Sequence, residues 1–238
     1  MNNLSLNRAT MSRAVWEVIL NDASETNNVR NFFLDMMHRQ NDLRDRADYN
    51  TGSIGPANAW CTYAVAKYFN PDTVAEVGTF IGTSTSALAY GMFMGAKKDT
   101  VSAQKLILTC DSSNDIPLEA NPYGVVVEQF PKKTSLEMFQ SMHDRNIYAD
   151  LVNIDGRLSL EDLTIIDKVT HERTVFVLDD FEGIEKGVIN AANLMGLNLR
   201  QYGLVYPPEQ ELLTKHGFTD RCTTALLIPM NIVQLTNQ

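Results

Sequence analysis

Cysteine is scarce in this chain: Cys61, Cys110 and Cys222 are the only three in 238 residues. An odd number of widely spaced thiols excludes a disulfide framework, and two of them sit in apolar runs. All three are expected as reduced, core or near-core thiols. Positive charge is also in deficit, since 20 Lys and Arg against 29 Asp and Glu leave a formal charge of −9. A protein that tracks a phosphate backbone needs the opposite sign, so no nucleic-acid partner is expected. No apolar run approaches the roughly 18 residues that cross a bilayer. The opening residues Met1 to Arg8 carry no apolar signal-peptide core. The expectation is a cytoplasmic protein with no membrane partner. His38, His143, His171 and His216 show no zinc-type spacing. A Gly-x-Ser-x-Gly nucleophile elbow, an internal repeat and a low-complexity tract are all missing.

What is present is an ordinary globular composition, 44% apolar and 21% charged, long enough for one large domain or a domain with an appendage. The first 50 residues read as helical. Val15, Val18 and Ile19, then Phe32, Phe33, Met36 and Met37, recur at helical spacing, and a charged stretch from Arg39 to Asp48 follows. Residues 1–50 are therefore expected as an N-terminal helical cap and 51–238 as the main domain. After a Gly- and Pro-bearing loop at 50–56, a helix is expected over Ala57–Phe69, stopped by Asn70-Pro71. Strand-like runs follow at Thr73–Val77, Lys105–Cys110, Gly124–Phe130, Asp150–Ile154 and Thr174–Leu178. Helical stretches near 83–95, 134–145, 158–169 and 183–195 alternate with them. This alternation predicts an α/β fold, a Rossmann-like, doubly wound and mostly parallel sheet with helices on both faces. Two last runs, Gly203–Tyr206 and Thr223–Ile232, predict an antiparallel pair at the sheet edge. Trp16, Trp60, Met36, Met37, Met92 and Met94 are expected in the core.

Three places could carry chemistry. In Glu76-Val77-Gly78-Thr79-Phe80-Ile81-Gly82-Thr83-Ser84 a strand enters a glycine-bearing turn and then a hydroxyl-rich helix start. Gly78 permits a tight turn and close backbone approach, and Gly82 lets a ligand lie against the helix N-terminus. The Gly-x-x-x-Gly spacing is neither a dinucleotide fingerprint nor a phosphate-cradling loop. The next strand ends in Asp111, where a carboxylate can accept both hydroxyls of a ribose. Two later strands end in Asp155 and in Asp179-Asp180. Neighbouring strands would gather these carboxylates on one rim, where they repel unless a hard cation such as Mg²⁺, Mn²⁺ or Ca²⁺ compensates them.

Glu76-x-Gly78-x-x-x-Gly82 followed by Asp111 resembles the cofactor site of class I S-adenosylmethionine-dependent methyltransferases, over roughly residues 50 to 230. That resemblance implies a seven-stranded sheet with an antiparallel last strand. Asn153-Ile154-Asp155-Gly156 and Leu178-Asp179-Asp180-Phe181 further resemble the metal-dependent small-molecule O-methyltransferases. The likeness is nearer to the macrocin-type enzymes that methylate sugar hydroxyls, and more distant to the catechol type. It implies that Glu76, Gly78 and Gly82, with Thr79 between them, line the methionine part of S-adenosylmethionine, and that Asp111 holds the ribose. Ser53 and Ser84 would meet the cofactor carboxylate, and Thr134 and Ser135 the adenine edge. Asp155, Asp179 and Asp180 would bind a divalent metal, Mg²⁺ first among the candidates, with Asp155 beside the cofactor and able to take the acceptor's proton. The partner implied is a small-molecule hydroxyl acceptor, sugar or phenol/catechol-like, and a homo-oligomer is compatible with the pattern. Two departures stand out. Arg157 occupies the place of the catechol-type lysine base, and Val169-Thr170-His171-Glu172-Arg173 replaces a Pro-Gly-Gly turn. The base is thus left open among Asp155, His143 and His171. A non-catalytic cofactor-binding module, a metal-independent methyltransferase and a dinucleotide enzyme are the alternatives.

Overall fold

A computed structural model describes residues 3–23, Asn31, Asp35, 53–96, 104–113, Pro117, Leu118, 121–197 and 202–230. The apolar residues Phe32, Phe33, Met36 and Met37 of the second expected helical stretch, and the charged stretch from Arg39 to Asp48, lie outside these. Helix α1 spans Asn3–Ala23 and α2 spans Pro56–Phe69. Then come β1 (Thr73–Val77), α3 (Thr83–Gly95), β2 (Leu106–Asp111), β3 (Val126–Pro131), α4 (Ser135–Asp144), β4 (Ala149–Ile154), α5 (Leu160–Ile166) and β5 (Thr170–Leu178). A π-helical turn at Ile184–Val188 runs into α6 (Ile189–Gly196), and β6 (Tyr202–Val205), α7 (Gln210–Lys215) and β7 (Ala225–Pro229) complete the order.

Local chemistry sets these boundaries. Pro56 stands in the first turn of α2, where its missing N–H costs nothing, and Asn70 closes that helix in the left-handed region at φ 47°. Helices α4 and α5 open on reciprocal capping boxes, Thr134 with Glu137 and Ser159 with Asp162.

The strands form one seven-stranded sheet in the order β3-β2-β1-β4-β5-β7-β6. The pairs through β5 are parallel, whereas β7 runs antiparallel between β5 and β6. This is the doubly wound sheet read from the sequence. The expected antiparallel pair at the sheet edge is β6 and β7, with α7 between them in sequence and β7 as the inner strand of the two, against β5. Every residue of β7 is buried, a demand that an edge position does not meet. Strand β5 also begins earlier than expected, taking in Thr170–Arg173 across an irregular register against Ala149 and Leu151. The helix expected over 183–195 is instead a π-turn followed by a short α-helix.

Strand alternation sends side chains to two cores. Val74, Ile107, Leu151 and Val177 face α1, α2 and α3. Ala75, Val77, Leu108, Val152, Ile154 and Phe176 face α4, α5 and α6. All three cysteines are buried and free, and Trp16, Trp60 and Met92 are core residues. Among the described residues no helix is long and apolar enough to cross a membrane.

Helices α2 and α3 touch through Gly91. A Cβ there would lie 2.5 Å from the Tyr63 carbonyl oxygen and 2.7 Å from the Ala66 Cβ. Gly91→Val must push the two helices apart, so it is expected to cost about 3 kcal/mol through overpacking. A lowered urea midpoint with an unchanged m-value is the check.

Candidate functional site

The strand order reverses between β1 and β4, and open α/β sheets bind ligands at the carboxyl ends beside such a reversal. A cleft of about 450 Å³ opens there, with Gly78, Asp111, Ser135, Asp155, Asp162 and Lys186 in its lining. The parallel ladder builds the rim directly. Asp155 donates its N–H to the Val77 carbonyl at 2.8 Å, and Asp179 donates to the Ile154 carbonyl at 3.0 Å.

The turn after β1 is held across β2, since Gly78 and Thr79 both donate N–H to the Cys110 carbonyl, at 2.9 and 3.1 Å. Gly78 has φ 100°, and a Cβ there would meet the Asp155 backbone oxygen at 3.1 Å. Glycine is required both for the conformation and for the approach of the chain to Asp155. Asp111 reaches the cleft with each carboxylate oxygen oriented by a backbone N–H, from Phe80 at 2.7 Å and from Ser113 at 2.8 Å.

Glu76 lies elsewhere. It is fully buried on the α3 face of the sheet, next to the cleft-lining Val77 but pointing the opposite way. Its register partners are Thr109 and Asn153. Thr85 and Thr109 donate to one carboxylate oxygen at 2.5 and 2.7 Å, and Asn153 donates to the other at 3.3 Å. Ser84 bonds it as well. Thr79 in turn bonds Thr109 at 2.6 Å. Burial pushes the Glu76 carboxyl up, with the surrounding hydroxyls and amide opposing. Glu76, Thr79 and Ser84 therefore form a buried polar network beneath the site, outside the lining of the cleft. Ser53 bonds the Thr83 hydroxyl at 2.6 Å at the start of α3, also outside that lining. Over Gly82 the space belongs to Leu118, whose Cδ2 a Cβ would overlap.

At the rim, Asp155 is pushed up to about 7, mainly by burial and then by Asp179, with Lys186 opposing. Burial and Asp180 likewise raise Asp179. Asp179 Oδ1 accepts from Asn58 Nδ2 at 2.6 Å and from Thr224 Oγ1 at 3.1 Å. The Lys186 ammonium donates to Asp155 Oδ1 at 3.1 Å and to Asp180 Oδ2 at 2.9 Å. Burial pulls Lys186 down, but the two carboxylates outweigh it and hold it above the usual lysine value. The alternative bases His143 and His171 are not at this rim. His143 is exposed in the last turn of α4, and His171 pairs with Asp150 at 2.9 Å, near the opposite end of β4. Arg157 pairs with Glu185.

A nucleoside-bearing cofactor fits these residues. Asp162 is buried, and its Oδ1 has no partner among the described residues although it borders the cleft. A buried acceptor of that kind calls for a ligand N–H. A divalent ion does not fit them. The Lys186 ammonium bridges Asp155 Oδ1 and Asp180 Oδ2, and Asp179 Oδ1 is taken by Asn58 and Thr224. Among the described residues no group of three His, Cys, Asp or Glu is arranged to hold a metal ion. Lys186, Asp162 and Asn58 were not singled out by the sequence reading. The one available signal was Lys186, the only basic residue in the turn after Asp180.

No family model matches the chain, and no curated protein matches it in sequence. Solved structures do match. TomG, an O-methyltransferase of Streptomyces achromogenes involved in tomaymycin synthesis and solved in complex with SAM, aligns at 15% identity and a TM-score of 0.55, over 85% of this chain and 96% of that one. An O-methyltransferase of Bacillus cereus in complex with SAH aligns at 13% identity and a TM-score of 0.50, over 93% and 98%. The fold is the Rossmann-like one that these methyltransferases share.

Proposed function

We propose that this protein is an S-adenosylmethionine-dependent O-methyltransferase acting on a small-molecule hydroxyl, of a sugar or a phenol. The observation that carries this reading is the meeting of cleft and rim at Asp155, which the Gly78 turn contacts on one side and Lys186 on the other. Bound in the cleft, S-adenosylmethionine would supply a sulfonium methyl group for in-line transfer to oxygen.

The chain's own residues have distinct tasks in this scheme. Asp111 accepts the ribose hydroxyls, and Asp162 Oδ1 accepts the adenine amino group. Gly78 keeps side-chain bulk away from the line of transfer, where alignment governs the rate. Asp155 takes the acceptor's proton, since a carboxyl pushed up to about 7 is matched to a base working near neutral pH. The charge of −9 supports a small acceptor over a nucleic acid. Nothing in this scheme passes through a metal ion.

Calorimetric titration with S-adenosylhomocysteine tests the reading. The wild type is expected to saturate, with NAD giving no heat. Asp111→Ala removes charge-assisted hydrogen bonds to the ribose and should weaken binding by about 100-fold. A wild type that does not bind S-adenosylhomocysteine rules the proposal out.

A further inference from the structure

The carboxylates of Asp155 and Asp180 converge on one ammonium, and the backbone is shaped to bring it there. Asp180 holds φ 50°, in the left-handed region, and accepts the Gly183 N–H at 2.8 Å. The chain then makes its π-turn, closed by Val188 N–H to the Gly183 carbonyl at 3.4 Å. Such turns put one extra residue into a helix and often occur at functional sites. Gly187 lets this turn lie directly on the Asp180–Phe181 backbone. A Cβ at 187 would overlap the Phe181 Cα and stand 2.8 Å from the Asp180 carbonyl oxygen. The preceding residue, Lys186, is thereby laid across the rim.

A hard cation binds carboxylate oxygens directly. Here one oxygen of each carboxylate, Asp155 Oδ1 and Asp180 Oδ2, already accepts from Lys186, which sets a positive charge between them. An ammonium has three N–H donors. Two go to these carboxylates, and the side chain still borders the cleft.

We propose that Lys186 is the resident cation of this rim, compensating Asp155 and Asp180 and offering its third N–H to the acceptor oxygen, so that the site takes no divalent ion. This rests on the methyltransferase reading, in which the rim is where the acceptor meets the cofactor. Lys186 is then an acceptor-binding residue supplied from the turn after β5. It takes up the charge compensation that the sequence pattern assigns to a metal.

The test is a titration of Mn²⁺ into protein preloaded with S-adenosylhomocysteine, for wild type, Asp180→Asn, Lys186→Met and Lys186→Met/Asp180→Asn, with thermal melts in parallel. Wild type should show no saturable Mn²⁺ binding at the rim. Lys186→Met frees the carboxylates and should bind Mn²⁺ at least tenfold more tightly than wild type, with a melting temperature raised by the ion. Adding Asp180→Asn should abolish that gain. Saturable Mn²⁺ binding to wild type that Asp180→Asn removes overturns the proposal, as does a folded Lys186→Met that binds Mn²⁺ no better than wild type. Should Lys186→Met not fold, the wild-type and Asp180→Asn titrations still decide. Failure of the preloading step would instead refute the methyltransferase reading itself, so the two failures are separable.

Discussion

Glu76→Ala is expected to destabilise the protein by about 4 kcal/mol, because several buried donors lose their acceptor at once and a cavity is left among them. Thr85, Thr109 and Asn153 all donate to this carboxylate, which has no exposed surface. Glu76→Gln separates charge from shape. Its carbonyl keeps part of the network, and the charge whose burial is unfavourable is gone. The pH dependence has a definite sign. Burial holds the folded Glu76 above its ordinary value of 4.5, so over that interval the native state binds more protons than the unfolded one. Wild-type stability then falls as pH rises from the unfolded value through the folded one. Glu76→Gln lacks this loss, so urea denaturation across that range should show the comparison moving in favour of Gln with rising pH. The Gln variant should also keep its S-adenosylhomocysteine affinity within a few-fold, whereas Asp111→Ala should not.

That contrast marks what the sequence could convey. The β/α alternation and the aspartates at strand ends are local patterns, and a parallel sheet converts them into a common rim by topology alone. This is why Asp111 and Asp155 both border one cleft. Glu76 is one residue from Val77, and one residue in a strand reverses the face. The turn that follows this strand borders the cleft, but the Glu76 carboxylate lies on the α3 side, where Thr109 and Asn153 sit in register with it. Lys186 was hidden for a different reason. Its placement depends on a π-turn and on Gly187 lying against the Phe181 backbone, and neither has a periodicity to detect. The antiparallel pair at the edge was legible, but not that β7 rather than β6 lies against β5, because with α7 between the two runs either strand could take the inner place.

Trp16→Ala should be the most disruptive change in the N-terminal segment, costing about 3–5 kcal/mol as expected for a fully buried tryptophan. By sequence, residues 1–50 stand apart as a cap, with Val15, Val18 and Ile19 recurring at helical spacing. Val18 is 45% exposed, however, and the buried face is Trp16, Ile19, Leu20 and Ala23, none above 1%. These are spaced i, i+3, i+4 and i+7, the pattern of a helix laid on a core. Trp16 also donates its indole N–H to the Tyr206 carbonyl at 2.8 Å, and the Tyr206 N–H bonds the Ser12 hydroxyl at 3.1 Å. Helix α1 thus joins the same core as α2, α3 and the inner faces of β5 and β7. Arg13 adds ion pairs to Glu209 and Glu211 across that junction, but these are exposed and contribute little. If α1 were a detachable lid, Trp16→Ala would leave the thermal transition in place and alter only ligand binding. A helix built into the core instead gives one cooperative transition at a lower temperature. Calorimetric scans of the variant, with and without S-adenosylhomocysteine, distinguish the two outcomes.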